Sequence, residues 1–139
     1  MGILTDILVA APSEARSILA DLRHASNWPC EQFKGLTPIE LGDLCSALGI
    51  EGGCQAFRLL AADDHAKAQV YQFPEDFPKL LAVCDDAQLV GVAAKWAAGE
   101  ELSFEGVDPA DMDVPLRRMR ELSKYALVAN KPLLLWLAV

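Results

Sequence analysis

Four cysteines, two histidines and three tryptophans are the residues of this chain whose chemistry goes beyond simple charge. Cys30, Cys45, Cys54 and Cys84 contain no Cys-x-x-Cys pair, and His24 and His65 do not fall at helical spacing, so no zinc site is expected. A nucleophilic cysteine needs a thiolate beside an imidazole. Cys30 with His24, or Cys54 with His65, could make such a dyad, but loop residues without a special role are the simpler reading. Asp108, Asp111 and Asp113 lie close together yet miss the calcium-loop spacing, and Asp113 is better used as a helix cap. Gly49, Gly52 and Gly53 form neither a P-loop nor a dinucleotide fingerprint, and no Gly-x-Ser-x-Gly elbow is present. No catalytic residue, metal ligand or cofactor is therefore assigned.

The candidate binding residues are Trp28, Trp96, Glu100, Glu101 and His65. Trp28 stands in a loop beside Pro29, where an indole either anchors the loop or serves a functional surface. Trp96 ends a helical pattern one turn before Glu100, so an aromatic ring and a carboxylate could line one cleft. Glu100 and Glu101 would do acid–base work only if burial raised one of their pKa values. The bland alternative places Trp96 and Trp136 in the core and both glutamates in water. Cys45 falls on the apolar face of a helix and Cys84 closes another apolar segment, so both read as small buried hydrophobes.

Charge narrows the range of partners. The net charge is −8, and residues 75–113 hold ten acids and two bases, whereas 114–139 hold five bases and one acid. Such acidity argues against nucleic acid. Arg117, Arg118, Arg120 and Lys124 could meet phosphates, but neutralising the neighbouring acids is their simpler use. The chain is 53% hydrophobic and 23% charged, which excludes a disordered reading. Its longest apolar run, Leu133 to Val139, is far too short to span a membrane. No basic region precedes the first apolar stretch, and Asp6 stands where a myristoylation motif wants Ser or Thr. The expectation is a cytoplasmic protein, folded as one domain over residues 1–139.

The elements that must position these residues follow from periodicity. A strand is expected over 3–9, then a helix opened by Pro12 and Ser13 with Ala15, Ile18, Leu19 and Leu22 on one face. Residues 24–35 read as a loop. Thr37, Pro38 and Glu40 make a strong helix start, with Leu41, Leu44, Cys45 and Leu48 buried and Gly49 as the stop. Strands over 56–61 and 69–73 flank the polar Asp63-Asp64-His65 and form an antiparallel hairpin.

Three helices follow: one capped by Asp76, one over 86–98 with Asp85 and Gln88 as a capping box, and one over 114–129 capped by Asp113. Asn130 and Pro132 end the last, and Leu133–Val139 suits a central, doubly covered strand. The sum is an α+β fold: a small, mostly antiparallel sheet of about four strands (N-terminal strand, central hairpin, C-terminal strand) packed with about five helices.

The second half resembles an uncharacterised group of small bacterial proteins. Val70-Tyr71-Gln72-Phe73-Pro74, Asp85-Asp86-Ala87, Lys95-Trp96-Ala97-Ala98 and Lys131-Pro132-Leu133-Leu134-Leu135-Trp136 carry the likeness, over roughly residues 70–139. The resemblance implies a bacterial cytosolic origin and no mechanism.

The functional expectation is a small acidic binding protein that meets a basic protein partner through residues 100–113 and Trp28, with no nucleic acid and no membrane. The alternative is a hydrolase-like enzyme with a cleft near Trp96, using Glu100, His65 or a cysteine. A homodimer through the C-terminal strand is also open, because a terminal strand left at a sheet edge invites pairing.

Overall fold

A computed structural model describes residues 2–99 and 108–139. Five strands form one antiparallel sheet in the order β2-β1-β5-β4-β3: β1 is Leu4–Val9, β2 Cys30–Lys34, β3 Arg58–Asp63, β4 Ala68–Gln72 and β5 Leu133–Ala138. Six α-helices lie among the described residues: α1 Ala15–Ala20, α2 His24–Asn27, α3 Pro38–Ala47, α4 Asp76–Ala82, α5 Asp86–Ala97 and α6 Asp113–Ala129. The α+β class, the antiparallel sheet and the hairpin β3–β4 agree with the sequence expectation. None of the described helices is long and apolar enough to cross a membrane.

The strand count is one higher than expected, because residues 30–34 pair with β1 instead of forming loop. Cys30-Glu31-Gln32-Phe33-Lys34 has only one large apolar side chain, since an edge strand has a single neighbour and needs no continuous apolar run. The sixth helix, α2, is a single turn inside the same expected loop.

The terminal strand lies in the middle of the sheet. β5 is hydrogen-bonded to β1 on one side and β4 on the other, with Leu135 opposite both Ile7 and Tyr71. Both edges of β5 are taken inside the chain, so it is not the edge strand from which the dimer expectation started. The doubly covered character of the strand does hold. Ile7, Val9, Leu133, Leu135 and Leu137 pack with Leu41, Leu44, Leu89, Trp96, Leu116 and Met119 in one core. On the other face, Leu8, Val70, Leu134 and Trp136 meet Ala15 and Ile18 of α1. Alternation along a strand sends odd and even positions to these two cores.

Local signals place the helix ends. Thr37 accepts from the Ile39 N–H, and Glu40 turns its carboxylate to the Thr37 hydroxyl rather than completing a backbone capping box. Asp85 and Gln88 form the reciprocal box before α5 at 2.7 and 2.8 Å. Asn130 closes α6 in the left-handed region at φ 54°. Two expected caps shift by one residue. Glu75 and Met112 hold the N-cap positions, so Asp76 and Asp113 are the first helical residues, where a carboxylate still favours the helix dipole.

Candidate functional site

Asp6 is the single charge in the apolar strand that opens the chain, and its position on β1 directs it to the face covered by α1 and α2. A buried carboxylate needs a partner. It finds His24, the first residue of α2: Nδ1 lies 2.7 Å from Asp6 Oδ2, and Nε2 lies 2.7 Å from the Ile18 carbonyl oxygen at the end of α1. His24 and Asp6 are both buried. The Trp136 ring meets the imidazole edge-on at 4.7 Å between centroids, and the Trp28 ring lies 6.0 Å away. Both imidazole nitrogens thus face oxygen acceptors. Burial pulls the His24 pKa down, but the bonds to Asp6 and Ile18 and the charges of Asp6 and Asp21 outweigh it, so the net shift is upward.

Chemically this arrangement is a clamp. A general base needs one imidazole nitrogen free to face a substrate, and His24 has committed both. The pair joins β1, α1 and α2 and holds the 10–29 connection onto the sheet.

The sequence candidates disperse. Trp28 is half-buried; its backbone N–H donates to the His24 carbonyl at 2.9 Å and its indole N–H to Glu14 at 3.4 Å, so it anchors the loop. Trp96 is fully buried, its indole N–H donating to the Glu40 carbonyl at 2.9 Å. His65 is exposed in the β3–β4 turn, where its backbone N–H donates to Asp63. Glu100 and Glu101 lie outside the described residues. A cleft of about 640 Å³ does touch Trp96, with Asp6, Phe33, Arg118 and Trp136 also in its walls, but His65 does not line it.

The cysteines give no dyad. Burial, then the charges of Asp6 and Glu31, push the Cys30 thiol up to about 12, and burial alone takes Cys45 to about 12. Cys84 is also raised, by burial first and then by Asp85. All four are free thiols, and Cys54 alone is exposed. Among the described residues no group of three His, Cys, Asp or Glu side chains could hold a metal.

The basic residues of α6 are matched inside the fold. Arg117 bonds Asp113 and Asp86, Arg118 bonds Glu31, Arg120 bonds Asp86, and Lys124 reaches Glu121. Sequence reasoning foresaw neutralisation by the preceding acidic segment and missed Glu31, which only the β2 pairing brings near.

No family model, curated protein or solved structure matches this chain.

Proposed function

We propose that this chain is a small acidic cytoplasmic binding protein whose partner is a protein with a basic surface. The observation that carries the reading is the internal use of the α6 cations: the only concentrated basic group in the chain is answered by Glu31, Asp86, Asp113 and Glu121. A phosphate backbone would have to compete with four carboxylates for them. The surplus of acid lies elsewhere. Glu100, Glu101, Glu105, Asp108 and Asp111 follow one another without an intervening base. Concentrated charge of one sign steers a partner of the other sign and sets its salt dependence.

The hydrolase alternative has a cleft beside Trp96 in its favour. It lacks a free imidazole there, since His24 touches Asp6 and Trp136 of the cleft wall but has both nitrogens engaged by Asp6 and Ile18.

The test is capture from the source organism's extract on the immobilised protein, at about 50 mM and about 500 mM salt. A basic protein retained at low salt, released at high salt and lost when Glu100, Glu101 and Asp111 are changed to lysine is the expected result. Recovery of nothing above background, or capture indifferent to the charge reversal, would remove the reading.

A further inference from the structure

The 10–29 connection is built from pieces too short to stand alone. α1 has six residues and α2 four, and isolated helices below about 12 residues are marginal in water. They stay folded because Ala15 and Ile18 lie on the apolar face made by Leu8, Val70, Leu134 and Trp136, and because His24 ties the two helices to β1.

Proton count decides whether that tie can exist. With the Asp6–His24 pair holding one proton beyond the carboxylate and neutral imidazole, both contacts are satisfied: Nε2–H donates to the Ile18 carbonyl while a proton lies between Nδ1 and Asp6. Remove that proton and the ring has one N–H for two acceptors, so a lone pair must face either a carbonyl or a carboxylate oxygen. A buried polar contact of that kind costs on the order of 1–3 kcal/mol. Add a proton instead and the pair carries a buried net positive charge.

The neighbouring carboxylates favour the protonated ring. Asp6 faces His24 from β1 and Asp21 from the α1–α2 turn. Cys30 on β2 stays a neutral thiol, and Glu14 reaches the cluster only through Trp28. The Trp136 indole N–H, buried in the same place, has no acceptor, so the packing there already carries one unsatisfied donor.

We propose that the Asp6–His24 pair is a proton-operated latch: loss of its shared proton frees residues 10–29 and uncovers the apolar face of the sheet around Leu134 and Trp136. This conformational device is independent of the acidic-surface reading and does not rest on it.

The experiment follows the full chain with His65 changed to glutamine, so that one imidazole remains. Long-range proton–nitrogen NMR reads the His24 ring, and amide hydrogen exchange reads residues 12–28, both from about pH 6 to about pH 9. The expected outcome is a ring protonated on both nitrogens at the acid end. Across its titration, protection of 12–28, corrected for intrinsic exchange, falls by about tenfold or more, while β5 and α6 keep theirs. In Asp6→Asn, ring titration and release of residues 12–28 shift together to lower pH; should that variant not fold, the titration of the unaltered pair decides alone. Constant protection of residues 12–28 through the His24 titration, or simultaneous loss of protection there and in the core, would overturn the proposal. So would a His24 that holds its proton until the whole chain unfolds.

Discussion

Arg118 of α6 covers the open edge of the sheet through Phe33 of β2. Its guanidinium carbon lies 4.6 Å above the Phe33 ring centre, its Nε donates to Glu31 and its Nη2 to the Gln32 carbonyl, both at 2.9 Å. Gly35 N–H bonds the Ile3 carbonyl and Val9 N–H the Pro29 carbonyl, so odd positions of β2 face β1 and the Gln32 carbonyl points outward. A cation that stacks on the ring and fills that carbonyl both fastens the strand and blunts its edge. Arg118→Ala is therefore expected to lower stability by roughly 1 kcal/mol. Arg118→Lys should recover little, because an ammonium lacks the planar fork. Urea denaturation of the three proteins checks this; full recovery by lysine would mean that charge alone does the work.

The His24 pair makes stability depend on pH with a definite sign. Its folded pKa is raised, so its contribution is complete below the unfolded value of about 6.5 and is lost as pH rises through the folded value. A tenfold gain in proton affinity on folding is worth about 1.4 kcal/mol. Unfolding free energy measured from pH 6 to pH 9 should fall in the native chain and fall less in His24→Gln. Parallel curves for the two proteins would show that another group sets the trend.

Gly42 of α3 packs against the backbone of residues 53–54, beyond the end of the helix. A Cβ built there would lie 2.5 Å from the Cys54 nitrogen and 2.7 Å from the Gly53 carbonyl carbon. Backbone cannot step aside as a side chain can, so Gly42→Ala should cost about 1–3 kcal/mol despite alanine's better helix propensity. Thermal unfolding reads this directly, and an unchanged or higher Tm would contradict the close approach.

Thiol labelling should separate Cys54 from Cys30 and Cys45. Cys54 is exposed, whereas Cys45 is buried and both it and Cys30 have thiols pushed up to about 12. At about pH 8 an aromatic disulfide reagent should modify Cys54 quickly and reach Cys30 and Cys45 only on unfolding. Rapid labelling of Cys30 in the folded protein would mean that the 10–29 connection opens far more readily than its packing implies.

Much of the fold was legible along the chain because those parts depend on neighbours in sequence. Thr37-Pro38, the Asp85–Gln88 box, the Asn130 stop and the helical stripes of α3, α5 and α6 are local devices, and each operates where its residues stand. The apolar run Leu133–Leu137 likewise announced a strand covered on both faces. Less was legible at the site: Trp28 anchors its loop, Trp96 sits in the core, and His65 lies in an open turn. Asp6 was the available clue, a lone carboxylate in an apolar strand, which burial obliges to find a partner.

Local sequence settles the class of fold, the boundaries of α3, α5 and α6 to within a residue, and a charge pattern that sets acid-rich against base-rich segments. Tertiary contacts settle that β5 lies between β1 and β4, that Cys30–Lys34 is a strand, and that His24 meets Asp6. The reason is range. Caps and periodicity act over one or two turns of chain, whereas strand order, an edge strand's pairing and a buried ion pair arise from contacts between distant segments, whose energies no local window contains.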